Sequence, residues 1–200
     1  MDHLATTDLR KARGERTRHG ILDIAVDVGS REGLEALTFG RLASEATISK
    51  SGLFAHFGSK ESLQLATVER AREVFIAEVV EAATHVEPGL PRLRSTLDAW
   101  LSYFRRDVFP GGCFFQAASL EFDGRPGPVQ DRVIDVMRQW LALLEALVQA
   151  AGPTEISAEQ LAFELNAIGM ATNWQRQLLG DDRAVDRAAA AFDRLIARSI

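Results

Sequence analysis

The chain has 200 residues, 46% of them hydrophobic and 26% charged, enough to bury a core in one large or two small domains. Its apolar stretches fall short of the roughly 20 residues that span a bilayer. The polar stretch 1–20 lacks the apolar centre of a secretory signal, so a cytoplasmic location is expected. Cys113 is the one cysteine, which excludes an intrachain disulfide and a cysteine-built zinc site.

The formal net charge is −5, but it is unevenly spread. Residues 1–62 hold nine basic and nine acidic groups, and the acidic excess lies beyond them. Arg10, Lys11, Arg13, Arg16 and Arg18 form a basic run near the N-terminus. An anionic partner is therefore compatible with the first part of the chain despite the overall sign.

Sustained period-2 alternation and hairpin turns of the Asn-Gly type are missing, so an all-α fold is expected. A first helix is predicted over 13–31, with Ile21, Ile24, Ala25 and Val28 on one face and Gly33 after its end. Thr38 caps a short second helix over 39–46, and Ser49 caps a third over 50–57. Gly58 ends the third, and Ser59 caps a long fourth helix reaching about residue 84. Glu61 in its first turn suits the helix dipole. Pro88, Gly89 and Pro91 break the chain before a fifth helix, 92–108. Pro110-Gly111-Gly112 precedes a short sixth, 113–122, and the turn at 123–128 precedes a seventh, 129–151. An eighth, capped by Ser157, runs to about 179, and a ninth covers 183–198.

The segment 38–57 carries most of the functional signal. Leu42, Ala46, Ile48, Leu53 and Phe57 are spaced to pack two short helices on the first, with Ala43 small at their crossing. The second short helix then protrudes, as a helix that reads a major groove must. An ordinary helical hairpin inside a core fits the same spacing.

The stretches Thr38-Phe39-Gly40-Arg41-Leu42-Ala43-Ser44-Glu45-Ala46, Ile48-Ser49-Lys50-Ser51-Gly52-Leu53-Phe54-Ala55-His56-Phe57 and Ser59-Lys60-Glu61-Ser62-Leu63 resemble the TetR family of regulators. The later helix order resembles that family's ligand-binding and dimerisation domain in architecture. The resemblance implies a nine-helix fold with a helix-turn-helix domain over 1–62 and a ligand-binding domain over 63–200. It implies a homodimer on double-stranded, pseudo-palindromic operator DNA, acting as a repressor that a small effector releases. Two positions depart from the family pattern. Thr47 stands where the turn usually has glycine; a β-branched residue at positive φ costs roughly 1–2 kcal/mol, so another turn geometry is expected. Phe54 replaces the usual tyrosine, keeping the packing role without the hydroxyl.

DNA contacts are expected from Thr38, Arg41, Ser49, Lys50, Ser51, Gly52, Phe54, His56 and Lys60. Thr38 and Lys60 sit at helix N-termini, where amides and a cation meet phosphate. The resemblance gives Lys60 that role and places His56 towards the backbone. Lys50, Ser51 and Arg41 are the candidates for base edges. Gly52 would permit close backbone approach. The basic run either follows the duplex or forms a solvated arm.

Aromatic residues concentrate in the fifth to eighth helices. Trp100, Phe104, Phe114, Phe115, Gln116, Glu121, Met137, Trp140, Asn173 and Trp174 are candidates for an effector pocket, with Asn166 a further polar candidate; core packing accounts for each aromatic equally well. An apolar or amphipathic effector is expected, and Glu121 would suit a cation or pair with an arginine. Small residues in the eighth and ninth helices, among them Ala162, Ala167, Gly169, Ala171 and Ala188–Ala191, allow close helix approach between subunits. The four histidines and Cys113 form no nucleophile or metal motif, so no enzyme, metal or cofactor is expected. The competing reading is a small-molecule-binding protein of the same fold with weak or lost DNA binding.

Overall fold

The computed structural model describes residues 2–200, with side chains from residue 14 onward. Of the basic run, Arg10, Lys11 and Arg13 fall outside the described side chains, while Arg16 is exposed and Arg18 half-buried. The described residues form nine α-helices and no strand. None of these helices is long and apolar enough to cross a membrane.

Helix α1 (Asp2–Glu32) buries Ile21, Leu22, Ala25, Val26 and Val28. Gly33, at φ 87°, then turns the chain. Helices α2 (Phe39–Ala46) and α3 (Lys50–Phe57) pack Leu42, Leu53 and Phe57 into the core beside α1. Each of the first short elements starts on a hydroxyl cap: Thr38 Oγ1 accepts from Arg41 N at 3.0 Å, and Ser49 Oγ accepts from Gly52 N at 3.1 Å. Ser59 Oγ does the same for Ser62 N, 3.0 Å away, at the start of α4 (Lys60–Phe75). Each cap satisfies a donor that the helix itself cannot, worth about 1 kcal/mol.

The turn between α2 and α3 corrects one expectation. Thr47 does adopt the left-handed conformation, at φ 55° and ψ 37°, and closes α2 by donating its amide to Ala43 O. The helix-turn-helix geometry demands that conformation, and the threonine bears its strain. Thr47→Gly is therefore expected to stabilise the protein by about 1 kcal/mol, the relieved strain minus the extra entropy lost by glycine. Thermal unfolding followed by circular dichroism should show a Tm higher by roughly 2–4 °C; an equal or lower Tm would show that Thr47 is not strained.

Beyond Phe75 the fourth helix was expected to continue regularly. Instead it widens into a π turn, Ile76–Val80, and tightens into a 3₁₀ turn, Glu81–Ala83. There follow α5 (Leu90–Arg105), α6 (Phe114–Phe122), α7 (Pro128–Ala151), α8 (Ala158–Leu179) and α9 (Ala184–Ser199). Helix α7 is the spine of the body: Val129, Val133, Val136, Trp140, Leu144, Leu147 and Val148 face inward. It packs on α4, α5, α6 and α8. Helix α4 packs on α1 and α3 at one end and on α7 at the other, so the head (α1 to α3) and the body (α5 to α9) share it.

Helix α8 splits its small residues between two faces. Ala162 and Gly169 are buried against the body. A β-carbon on Gly169 would lie 2.0 Å from Trp100 Cη2, so only glycine lets the indole pass. The other face exposes Phe163 (64%), Ala167, Ala171, Trp174 (49%) and Leu178 (66%), a continuous apolar stripe at helical spacing. Phe163 and Trp174 thus do not belong to the core of the chain.

Candidate functional site

Helix α3 projects from the head with Lys50, Ser51, Phe54 and Ala55 exposed and His56 half-buried. Ser49 is occupied as the cap, and its Oγ lies 3.2 Å from Ser51 Oγ. The Lys50 side chain folds back over the start of α2, with Nζ 3.4 Å from where a β-carbon on Gly40 would sit. Thr38, Ser49, Lys50 and Lys60 therefore mark the N-terminal ends of three helices, where unpaired amides and ammonium groups attract phosphate.

Three residues are placed differently from the sequence expectation, and Gly52 has a second role. Arg41 Nε and Nη2 grip Glu32 at 3.1 and 2.6 Å, and Nη1 holds Glu45 at 2.6 Å. It braces α2 against the end of α1 and is not presented as a free base reader. At Gly52 a β-carbon would meet Ser49 Oγ and Ile48 Cγ2 at 3.2 and 3.3 Å, so the missing side chain also makes room for the cap. Phe54 is 58% exposed and touches Phe39 only edge-on, with centroids 5.8 Å apart. It is an apolar group on the protruding surface more than a packing residue. Lys60 Nζ donates to Glu35 O and to the Glu35 carboxylate, at 2.8 and 3.0 Å. A phosphate has to exchange with Glu35 to take that cation.

A cavity of about 180 Å³ lies in the body between α4, α5, α6, α7 and α8. Of the residues expected to bind an effector, Trp100, Phe104, Phe115, Gln116, Met137 and Trp140 line it. The rings form a box: Trp100 and Trp140 meet at 4.9 Å, and Phe75 meets Trp140 at 5.1 Å, both edge-to-face. The π turn brings Ile76 and Val80 into the same wall. Asn166 Oδ1 accepts from Trp140 Nε1 at 3.1 Å.

Phe114, Glu121, Asn173 and Trp174 stand outside the lining. Phe114 faces the end of α1, where its ring limits the space at Gly29. Trp174 belongs to the exposed stripe of α8. Asn173 supports the cavity from behind: Nδ2 donates to Gln116 Oε1 at 2.8 Å, and Oδ1 accepts from Cys113 N at 2.8 Å. Gln116 in turn donates to Met170 O at 3.1 Å.

Glu121 lies at the far end of α6, against the head. Its two carboxylate oxygens accept from Leu34 N at 2.7 Å and Glu35 N at 2.8 Å. Gln64 of α4 donates to Leu34 O at 2.9 Å and to the Glu35 carboxylate at 3.1 Å. The α1–α2 loop is thus held by α4 and by α6. The loop before α6 docks on α1 as well, with Gly111 N donating to Ser30 Oγ at 3.1 Å. Sequence spacing gave no sign of these contacts, which join residues more than 80 positions apart.

A protruding, hydroxyl-capped second helix of a helix-turn-helix, joined to a helical body that encloses an aromatic cavity, defines a DNA-binding regulator with a separate effector domain. Residues 21–67 match the family model of bacterial regulatory proteins, tetR family. Residues 89–192, more than half of the chain, match that of the tetracyclin repressor-like C-terminal domain. The chain belongs to the TetR family: it is a DNA-binding transcriptional regulator and not an enzyme.

The chain is 25% identical over 181 residues to the HTH-type transcriptional activator FasR of Mycolicibacterium smegmatis, spanning 90% of this chain and 80% of that protein. A TetR transcriptional regulator from Chloroflexus aurantiacus superposes with a TM-score of 0.85 at 23% identity, over 94% of this chain and 97% of that one. A regulator from Saccharomonospora viridis, solved in complex with choline, gives 0.72 at 22% identity, over 92% and 96%. At these identities the two structures show a shared fold.

Proposed function

We propose that the protein is a homodimeric repressor whose hold on its operator is loosened by a small molecule in the aromatic cavity. The observation that carries this reading is helix α6. Its first turn places Phe115 and Gln116 in the cavity wall, and its last turn fixes the head through Glu121. A ligand that displaces α6 changes the position of the head relative to the body. It acts only through its different affinity for the two arrangements.

The apolar stripe of α8, from Phe163 to Leu178, supports a two-fold interface with the same stripe of a second copy. Two copies of α3 then meet successive major grooves about 34–36 Å apart. Lys50 and Ser51 face base edges, while Thr38, Ser59 and Lys60 hold phosphates. Phe54 offers a ring to a thymine methyl group or a sugar.

Fluorescence anisotropy on the intergenic DNA upstream of the gene tests the reading. Lys60→Ala is expected to weaken binding on all sequences and to lower the salt slope by about 1. Lys50→Ala is expected to cost about 1–3 kcal/mol and to relax sequence preference. A folded dimer without a specific complex at low salt would favour a ligand-binding protein that has lost DNA binding. The M. smegmatis relative is named an activator, so a reporter decides the mode: higher expression in the deletion strain supports repression, and lower expression contradicts it.

A further inference from the structure

Apart from the exposed amide of Gln139, the polar groups of the described cavity wall have their acceptors engaged, while donors remain spare. Gln116 uses both ends of its amide, on Asn173 and Met170. Asn166 Oδ1 is taken by Trp140, and its Nδ2 lies 3.4 Å from Met170 Sδ. Trp100 Nε1 is buried and has no partner among the described residues. An indole nitrogen only donates. The edge of its benzo ring is pressed against Gly169, so the ring is fixed with that donor unmet.

Arg72 is the charged residue among the described lining groups. It is half-buried on α4, and its Nε donates to Glu69 at 3.2 Å. Glu69 is also the partner of Arg132 on α7. The hydrogen bond from Arg132 is the main influence holding the Glu69 carboxyl below its usual range, with a smaller one from Arg72. Two guanidinium groups therefore share the Glu69 carboxylate, and Asp135 adds its charge on the Arg132 side, which leaves Arg72 as the charge that faces the cavity. The terminal nitrogens of Arg72 have no partner among the described residues. A planar guanidinium whose edge of two terminal nitrogens is free matches a carboxylate in both charge and shape.

Size narrows the ligand further. Apolar cavities of about 150 Å³ accept benzene, and this one holds about 180 Å³.

We propose that the effector is a small carboxylic acid with an apolar body of about one ring. Arg72 holds the carboxylate, and the body lies between Phe75, Trp100, Phe115 and Trp140. Glu121 was the basis for expecting a cation, but it lies against the head and leaves the charge of the cavity to Arg72. The inference rests on the cavity being the effector site. It sets this chain apart from its S. viridis neighbour, whose bound choline is a cation.

The test is isothermal titration of the full-length protein with three shape-matched probes: phenylacetate, phenylacetamide and 2-phenylethylamine. Phenylacetate is expected to bind at least about tenfold tighter than the amide, the value of one charge-assisted contact. The amine is expected not to bind. Arg72→Gln should bring the acid down to the affinity of the amide, whereas Arg72→Lys should keep part of the preference. Arg132 still pairs with Glu69 in both variants, and thermal unfolding checks that they remain folded. Equal or tighter binding of the amide or amine overturns the proposal, as does an unchanged acid affinity in Arg72→Gln. Failure of all three probes at millimolar concentration overturns the one-ring acid class. The regulatory reading fails separately: phenylacetate would bind through Arg72 and leave operator affinity unchanged.

Discussion

Gly111→Ala is expected to be the most damaging small substitution in the chain. A β-carbon there would lie 1.9 Å from Ser30 O and 2.2 Å from Ser30 C. Both are backbone atoms of α1, so no side chain can swing aside. Overpacking of an ordinary core costs about 1–3 kcal/mol, and a backbone overlap belongs at or above the top of that range. The expected cost is about 3 kcal/mol or more, which lowers Tm by roughly 6–12 °C in a chain of this size. Gly124→Ala is the control, because nothing lies within 4 Å of its added carbon; its Tm should barely move. Equal melting of the two variants would show that the loop before α6 does not press on α1.

Glu121→Ala has the second large effect, and its signature is local. Two amides of the α1–α2 loop lose a charged acceptor, and that of Leu34 is partly buried. An unmet buried donor costs about 1–3 kcal/mol, so the loop should loosen while the body stays folded. Hydrogen exchange is expected to show faster exchange at Leu34 and Glu35 with little change in α7. DNA binding should persist, because α3 and its caps are untouched. Release of DNA by the effector should fail, because the last turn of α6 no longer grips the head. Glu121→Gln, which keeps an acceptor oxygen, should fall between. Unchanged exchange at the two amides would contradict the role of Glu121 as the link.

The parts of this molecule that were legible in the sequence are those decided locally. Thr38, Ser49 and Ser59 announce three helix starts because a hydroxyl cap acts within three residues. The core face of α7 follows from apolar spacing alone. Thr47 was misread because its left-handed conformation is imposed by the packing of two helices against the local preference of threonine. The π turn at Ile76–Val80 has no local marker either.

The cavity was half legible. Aromatic content pointed to Trp100, Phe115 and Trp140, but not to which aromatic faces outward; Phe163 and Trp174 do. Arg72 was overlooked, since a lone arginine on a helix reads as solvated. Its signal was spacing: Arg72, Phe75, Ile76 and Val80 fall on one side of the fourth helix. The contacts of Glu121 and Gly111 with α1 could not be read at all, because they depend on where α6 lands in the folded chain.

Helix α3 is proposed to enter a DNA groove twice per dimer, and hydroxyl-radical footprinting on the upstream intergenic DNA reads out those two contacts. Two protected patches are expected, centred about one helical turn apart, 10–10.5 base pairs, or a multiple of that spacing. Both should fade together in Lys50→Ala. A single patch, or uniform reactivity at low salt with the dimer intact, would contradict it.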